Sequence, residues 1–108
     1  MSMAWIYLGI AGLLEVVWSL GLKMCEGFSK PVPSAVTIVA AAASFYLLSL
    51  ALRDLPVGTG YAVFVGIGAV GAAIFGIVLL GEALTLARAG GIAMIVAGVA
   101  LLKFAEIA

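Results

Sequence analysis

Residues 57–80 read "VGTGYAVFVGIGAVGAAIFGIVLL" and contain no charged side chain. An α-helix rises about 1.5 Å per residue, so this run is long enough to cross the hydrocarbon core of a bilayer, which is about 30 Å thick. The whole chain has the same character, because 67% of its 108 residues are hydrophobic and 9% are charged. We therefore expect this protein to fold in a bilayer rather than in water.

The remainder of the chain contains three similar apolar runs joined by short polar connections, at about 4–22, 33–52 and 87–105. The last run is the weakest because Arg88 and Lys103 bracket it, but both side chains can extend their charges to the lipid headgroups. These runs predict an all-α integral membrane protein with four transmembrane helices and both termini on one side. Since the connections are too short to build a soluble domain, we expect residues 1–108 to form one transmembrane domain.

The composition argues against several classes of protein. Five Lys and Arg balance five Asp and Glu, and there is no histidine, so no basic patch indicates a nucleic-acid partner. The single cysteine, Cys25, cannot form an internal disulfide, and no Cys or His cluster indicates a metal site. The chain also lacks a nucleophile beside a base and a phosphate-binding loop, so we expect neither an enzyme nor a bound cofactor.

The basic residues at the helix ends give only a weak signal for orientation. Lys23, Lys30 and Arg88 fall on one side of the membrane, and Arg53 and Lys103 fall on the other. The positive-inside rule depends on a clear excess of Lys and Arg, which three against two does not provide. Copies inserted in opposite directions could form an antiparallel dimer, which would reproduce the inverted halves of many transporters. A single orientation is the alternative, and the charges alone do not choose between the two.

One acidic residue interrupts the first apolar run. Glu15 lies in "GLLEVVWSLGLK" (residues 12–23), about 15 Å from a helix start near Trp5, which is the middle of the bilayer. A carboxyl group there costs a few kcal/mol and usually faces a bundle interior or an aqueous cavity. Lys23 is about 12 Å further along the same helix, too far to pair with it.

Removal from water disfavours the charged form of a carboxyl group, so Glu15 is expected to bind either a proton or a cation. This is the minimal chemistry of an antiporter. The alternative is a permanently protonated Glu15 that forms a hydrogen bond with a neighbouring helix.

Four residues are candidates for lining a cavity with the acid. Gly12 and Trp18 lie three residues on either side of Glu15, so all three share one helical face. Ser44, about 16 Å into the second helix, and Tyr61 in the third can supply hydroxyl groups. Simpler roles exist, because Trp18 can serve as packing and Ser44 can bond to its own helix.

Two pairs of glycines have candidate structural roles. Gly66 and Gly68 in the third run can weaken the helix enough to form a hinge, or they can simply allow close packing. Gly91 and Gly98 are seven residues apart and share one face of the fourth helix, as a helix–helix contact requires. We assign this second pair to the dimer interface.

Five motifs follow one another along the whole chain: "GLLEVVW", "SKPVPS", "SFYLL", "LPVGTGYAV" and "GIGAVGAA". Together they resemble the small multidrug resistance family of four-helix, proton-coupled exporters. "EVVW" and "GIGAVGAA" are similar to the guanidinium-exporter subtype rather than to the quaternary-ammonium subtype. The resemblance implies an antiparallel dimer in the inner membrane. It also implies that Glu15 is the shared proton and substrate site, surrounded by Gly12, Trp18, Ser44 and Tyr61.

The chain departs from this subtype beside Tyr61. The subtype usually continues "YAVW" followed by Thr or Ser, whereas this chain has Phe64 and Val65, and Gly60 stands where alanine is usual. We therefore expect Phe64 to belong to the substrate site beside Glu15, but without the N–H donor of tryptophan, and a hydroxyl group is missing next to it. Strong discrimination between substrates depends on such fixed polar groups. We expect a wider substrate range that includes substituted guanidines. Alternatively, a related second chain supplies the missing groups in a heterodimer.

The sequence therefore predicts a proton-coupled antiporter, acting as a homodimer, that exports small guanidinium-type cations. The first alternative is a quaternary-ammonium or hydrophobic-cation exporter of the same family, which the lost donor at Phe64 favours. A proton-conducting ring subunit is an alternative from another class, because it also combines glycine-rich helices with one buried carboxyl group. Against the ring subunit, Glu15 lies in the first helix whereas the glycines cluster in the third.

Overall fold

The computed structural model describes residues 3–107 and the side chains as far as residue 105, so residues 1, 2 and 108 of the expected domain lie outside it. The described residues form four α-helices and no strand: α1 Met3–Met24, α2 Pro31–Ala51, α3 Val57–Leu80 and α4 Leu86–Ile107. Each helix is long and apolar enough to cross a membrane. The prediction of an all-α, multi-pass membrane protein is confirmed, with the predicted runs within two residues of the observed helices.

Proline sets the beginnings of α2 and α3. α2 begins at Pro31, two residues before its predicted start, because proline at the first helical position lacks an N–H group that would have no partner there anyway. Pro56 precedes α3 in an extended conformation, with φ −59° and ψ 143°. α2 therefore begins at the proline rather than at the start of the predicted run, whereas α3 begins directly after Pro56, where its apolar run also begins.

A glycine ends α3 and turns the chain toward α4. Gly81 adopts a left-handed conformation with φ 69°, and the N–H of Glu82 donates to the carbonyl of Gly76 at 3.2 Å. Arg88 then bonds to the two residues that follow the turn, with Nη2 3.0 Å from Oε1 of Glu82 and Nη1 donating to the carbonyl of Ala83 at 2.7 Å. The connection between α3 and α4 is therefore held by its own hydrogen bonds.

The apolar core lies where α1, α2 and α3 meet. α1 packs against both α2 and α3, whereas α4 packs along α3 at the edge of the molecule. The buried core residues come in pairs from the three inner helices: Leu8 and Ala11, Leu48 and Ala51, and Val63 and Phe64. No described side chain of α4 is fully buried within the chain. The fold is thus a three-helix core with a fourth helix on one side.

Glycines allow α1 to approach its neighbours closely. A side chain at Gly12 would meet Ile67 of α3, and one at Gly71 would meet Val16 of α1. In a bilayer, helices associate through this kind of close contact, because burying apolar surface away from lipid gives little driving force. The spacing between α1 and α3, which determines the surroundings of Glu15, therefore depends on residues without side chains.

Candidate functional site

The side chain of Glu15 points from α1 toward α3. Its carboxyl group lies against Gly68, where a Cβ atom would overlap both the carboxyl carbon and Oε1. The side chain is half-buried, and Oε1 is buried without a hydrogen-bond partner among the described residues. A buried polar atom without a partner is rare in folded proteins and requires an explanation. Here an acceptor near the middle of α1 is available for a proton or a cationic donor.

Trp18 places an unused donor on the same face of α1. Its Nε1 atom is buried and, among the residues that the structure describes, has no hydrogen-bond acceptor. Its ring packs against Phe45 of α2, with 5.8 Å between the ring centroids. The predicted juxtaposition of Glu15 and Trp18 on one helical face therefore leaves an acceptor and a donor that do not satisfy each other.

Ser44 bonds through its hydroxyl group to neither of the two partners that the sequence suggested, Glu15 and its own helix. Its hydroxyl group is fully buried and donates to the carbonyl of Ala11 on α1 at 2.8 Å, rather than to Glu15 or to its own helix. In an α-helix the carbonyl of Ala11 also accepts the backbone N–H of Glu15. Ser44 thus joins α2 to the turn of α1 that carries the acid. Gly12, on that turn, is covered by Ile67.

An aromatic row runs from Trp18 across the core to Tyr61. The ring centroids are 6.2 Å apart for Phe45 and Phe64 and 6.1 Å apart for Phe64 and Tyr61. Phe64 is 1% exposed and belongs to the core, whereas Tyr61 is 53% exposed. Sequence reasoning missed Phe45 as part of this row, although it directly follows Ser44 in the motif "SFYLL". Its position next to Ser44 was the feature of the sequence that could have identified Phe45.

The two glycine pairs differ in their surroundings. Gly66 allows Val99 of α4 to approach α3, Gly68 accommodates Glu15, and α3 remains helical through both positions. Bending at this pair stays a prediction. At Gly91 and Gly98 an added side chain would meet no atom of the described residues within 4 Å. These two glycines leave an open face on α4, and its contact with a second copy also stays a prediction.

Comparison with known proteins identifies the family to which this arrangement belongs. A family model described as "Small Multidrug Resistance protein" matches residues 3–96. The chain belongs to the small multidrug resistance family. Curated relatives are similar over almost their whole length. The Guanidinium exporter of Yersinia pseudotuberculosis serotype I (strain IP32953) is 59% identical over 104 residues, covering 96% of this chain and 100% of the relative. The Guanidinium exporter of Escherichia coli (strain K12) is 57% identical over 101 residues, covering 94% and 96%.

In this small multidrug resistance protein, the candidate site around Glu15 contains groups that are suited to reversible ion binding. No group of three or more metal-ligating side chains occurs among the side chains that the structure describes. What the site offers is one carboxyl group against a helix backbone, with a free indole N–H nearby and apolar or aromatic neighbours. Because a carboxylate in such surroundings binds a proton or a cationic donor at the same oxygens, occupation by one excludes the other.

Proposed function

We propose that this chain is a proton-coupled antiporter that exports small guanidinium-type cations across the inner membrane as an antiparallel homodimer. The observation that carries the proposal is the carboxyl group of Glu15, which lies near the middle of the membrane-spanning helix α1 with a buried oxygen that has no partner among the described residues. The substrate class is supported by relatives at 57–59% identity whose name is Guanidinium exporter. Family membership supports export as the type of activity.

The geometry of the two ions explains why a carboxylate suits this substrate. A guanidinium ion is planar and can make two parallel N–H···O hydrogen bonds to one carboxylate. Two copies of Glu15, one from each protomer, would then bind opposite edges of a single cation. The faces of the ion would remain free to stack on aromatic rings, for which Trp18 is the nearest candidate on the same helical face.

Coupling follows from competition for the same oxygen atoms. A protonated Glu15 has lost the negative charge that holds a cation, and a cation-bound Glu15 has no free site for a proton. If the protein changes the side of access only when Glu15 is occupied, each substrate that leaves is exchanged for protons that enter. Substrate transport without proton movement is then not possible.

Reconstitution of a Glu15→Gln variant tests the proposal. Glutamine has nearly the same shape but cannot lose a proton, so we expect vesicles with this variant to lose both guanidinium uptake and substrate-dependent proton movement. Glu26→Gln is the matched control, because Glu26 is an exposed residue of the α1–α2 connection that pairs with Lys30 at 3.2 Å. Transport by this control should be unchanged. If Glu15→Gln retains either flux, the role assigned to Glu15 is wrong.

Competition experiments in the same vesicles separate the two cation classes. A tetraalkylammonium ion has no N–H group, so it cannot make paired hydrogen bonds to Glu15 and depends on apolar contact alone. The buried Phe64 provides apolar surface in the aromatic row and is the observation that favours this class. We expect guanidinium uptake to be inhibited by alkyl-substituted guanidines at lower concentrations than by tetraalkylammonium ions. The reverse order would identify a quaternary-ammonium exporter.

A further inference from the structure

A long apolar groove lies on the side of the molecule where α4 stands away from α1. Its main part is a cavity of about 640 Å³ lined by apolar side chains and glycines of three helices, including Leu13 of α1, Phe75 of α3 and Val96 of α4. A smaller cavity of about 210 Å³ continues it and shares Ile67, Val99 and Ala100. On α1 the groove includes Val16, which directly follows Glu15, but Glu15 itself lines neither cavity. The groove therefore lies beside the ion site without including its acid.

The groove has a charged mouth at one end. The smaller cavity includes Trp5 and Lys103, and Nζ of Lys103 lies 5.5 Å from the centroid of the Trp5 ring. Trp5 is near the beginning of α1 and Lys103 near the end of α4, which places both at the membrane surface. Tryptophan and lysine are typical of the level where hydrocarbon meets headgroups. No carboxylate lies within ion-pair distance of Lys103 among the side chains that the structure describes.

The dimensions of the groove match one lipid chain. Along α3 it extends from Val63 to Phe75, about 18 Å at about 1.5 Å per residue, whereas one leaflet of hydrocarbon is about 15 Å deep. The main cavity has a volume of about 640 Å³ and is lined by apolar side chains and glycines alone. A hydrocarbon chain, whose neighbouring carbons pack at about 4 Å, suits such a lining.

We propose that this groove binds an acyl chain of an anionic phospholipid, with the lipid headgroup held by Lys103 at the mouth. The ammonium group is a point charge that suits a phosphate or another anionic headgroup. A second copy of the chain would use another surface, because Gly91 and Gly98 lie about 140° around α4 from Val96 and Lys103. The lipid therefore fills a groove that the four helices leave open and that does not include the glycine face of α4.

Fluorescence quenching at Trp5 tests this site directly and does not depend on transport. The chain has two tryptophans, so Trp18→Phe leaves Trp5 as the only one. This protein is reconstituted in vesicles of brominated phosphatidylcholine, which quenches tryptophan, mixed with increasing unbrominated phosphatidylglycerol. We expect the brominated lipid to quench Trp5 and the quenching to fall as phosphatidylglycerol displaces it from the groove. The groove should prefer phosphatidylglycerol over brominated phosphatidylcholine by about fivefold, which is the effect of one lysine near a membrane surface.

Four variants in this background test whether the preference for phosphatidylglycerol arises at Lys103 and the groove. Lys103→Gln removes the charge and Ala100→Phe fills the groove, so each should reduce the preference to about one. Lys23→Gln makes the same charge change at the other end of α1, and Ala97→Phe adds the same ring to another face of α4, so both should retain it. No preference in the parent protein, or persistence in Lys103→Gln or Ala100→Phe, would overturn the proposal. Loss of the preference in either control would also overturn the proposal. So would a lack of quenching of Trp5 by brominated lipid, which would mean that a second copy covers the groove.

Discussion

Glu15 keeps an unsatisfied carboxyl oxygen inside a membrane helix, an arrangement that lowers stability. A buried acceptor without a donor costs about 1–3 kcal/mol, and the described residues offer no donor to Oε1. The helix backbone at Gly68 allows the group to be there, because it leaves space that any other residue would fill. The proposed role of Glu15 in transport would account for this loss of stability, and the position of the carboxyl group can be tested through the glycine.

Gly68→Ala should impair transport without unfolding the protein. The added methyl group would overlap the carboxyl group of Glu15 and displace it, and a shift of about 1 Å in a binding group can cost up to about 100-fold in activity. Guanidinium uptake at low substrate concentration measures the effect. Gly90→Ala is the control, since an added Cβ there meets nothing within 4 Å, and it should leave uptake unchanged. Equal uptake by the two variants would contradict the observed contact.

Phe64→Trp tests whether a missing donor widens the substrate range. Tryptophan would restore an N–H group, and uptake of substituted guanidines relative to bare guanidinium should fall several-fold, as expected for about 1 kcal/mol. Because Phe64 is 1% exposed, the larger ring should also destabilise the protein by about 1–3 kcal/mol. The ratio of the two rates in the same vesicles is therefore the measurement. Phe104→Trp, on the exposed part of α4, should leave that ratio unchanged.

At the level of the helices, a single hydrogen bond connects α2 to the acid-bearing turn of α1. Ser44 is fully buried and donates to the carbonyl of Ala11, which lies one turn before Glu15. Hydrogen bonds between membrane helices typically contribute about 0.6 kcal/mol, and rarely more than about 1.7 kcal/mol. This contact is small in energy, and it adds to the close packing of α1 against α2 at the turn that carries the acid.

Ser44→Ala should therefore lower the free energy of unfolding by about 0.6–1.7 kcal/mol. Ser49→Ala is a matched control on the same helix, because its exposed hydroxyl group bonds only to the carbonyl of Tyr46, three residues earlier. The control should change stability by less than about 0.5 kcal/mol. Denaturant titration of both variants in one detergent measures the difference. If the two variants unfold at the same denaturant concentration, the contact between helices contributes nothing.

For the whole molecule, α4 is the element that the single chain leaves unburied. No described side chain of α4 is fully buried, and an added Cβ at either Gly91 or Gly98 would meet no atom within 4 Å. A membrane helix with an open small-residue face is suited to contact with another helix. These features support assembly through α4, and the nearly balanced basic residues allow the two copies to insert in opposite directions.

Labelling of the α1–α2 connection in whole cells tests the opposite insertion of copies. Ser29→Cys is made in a Cys25→Ala background, because Cys25 is the only native cysteine and is buried. A maleimide that does not cross the membrane should label about half of the protein if the two orientations are equally populated. Adding Met24→Lys and Phe28→Lys should place this connection inside and reduce labelling toward zero. Complete or absent labelling of the first variant would show a single orientation.

The depth of the acid was predictable from the sequence, but its neighbours on other helices were not. Counting residues places Glu15 at mid-membrane, and helical spacing places Trp18 on its face. The contact with Gly68 and the bond from Ser44 to Ala11 join residues far apart in the sequence. They depend on how helices rotate and approach each other, and periodicity does not reveal this when helices are apolar on most sides.

The sequence by itself determined four membrane-spanning helices with one carboxyl group near the centre. In hydrocarbon an apolar segment must satisfy its own backbone hydrogen bonds, and a helix of about 20 residues does so. Only the tertiary structure decided that Phe64 lies in the core, that Gly68 faces Glu15, and that α4 stands away from α1 with a groove between them. The reason is that close packing in lipid depends on the shapes of the touching surfaces, and these exist only once the helices are assembled.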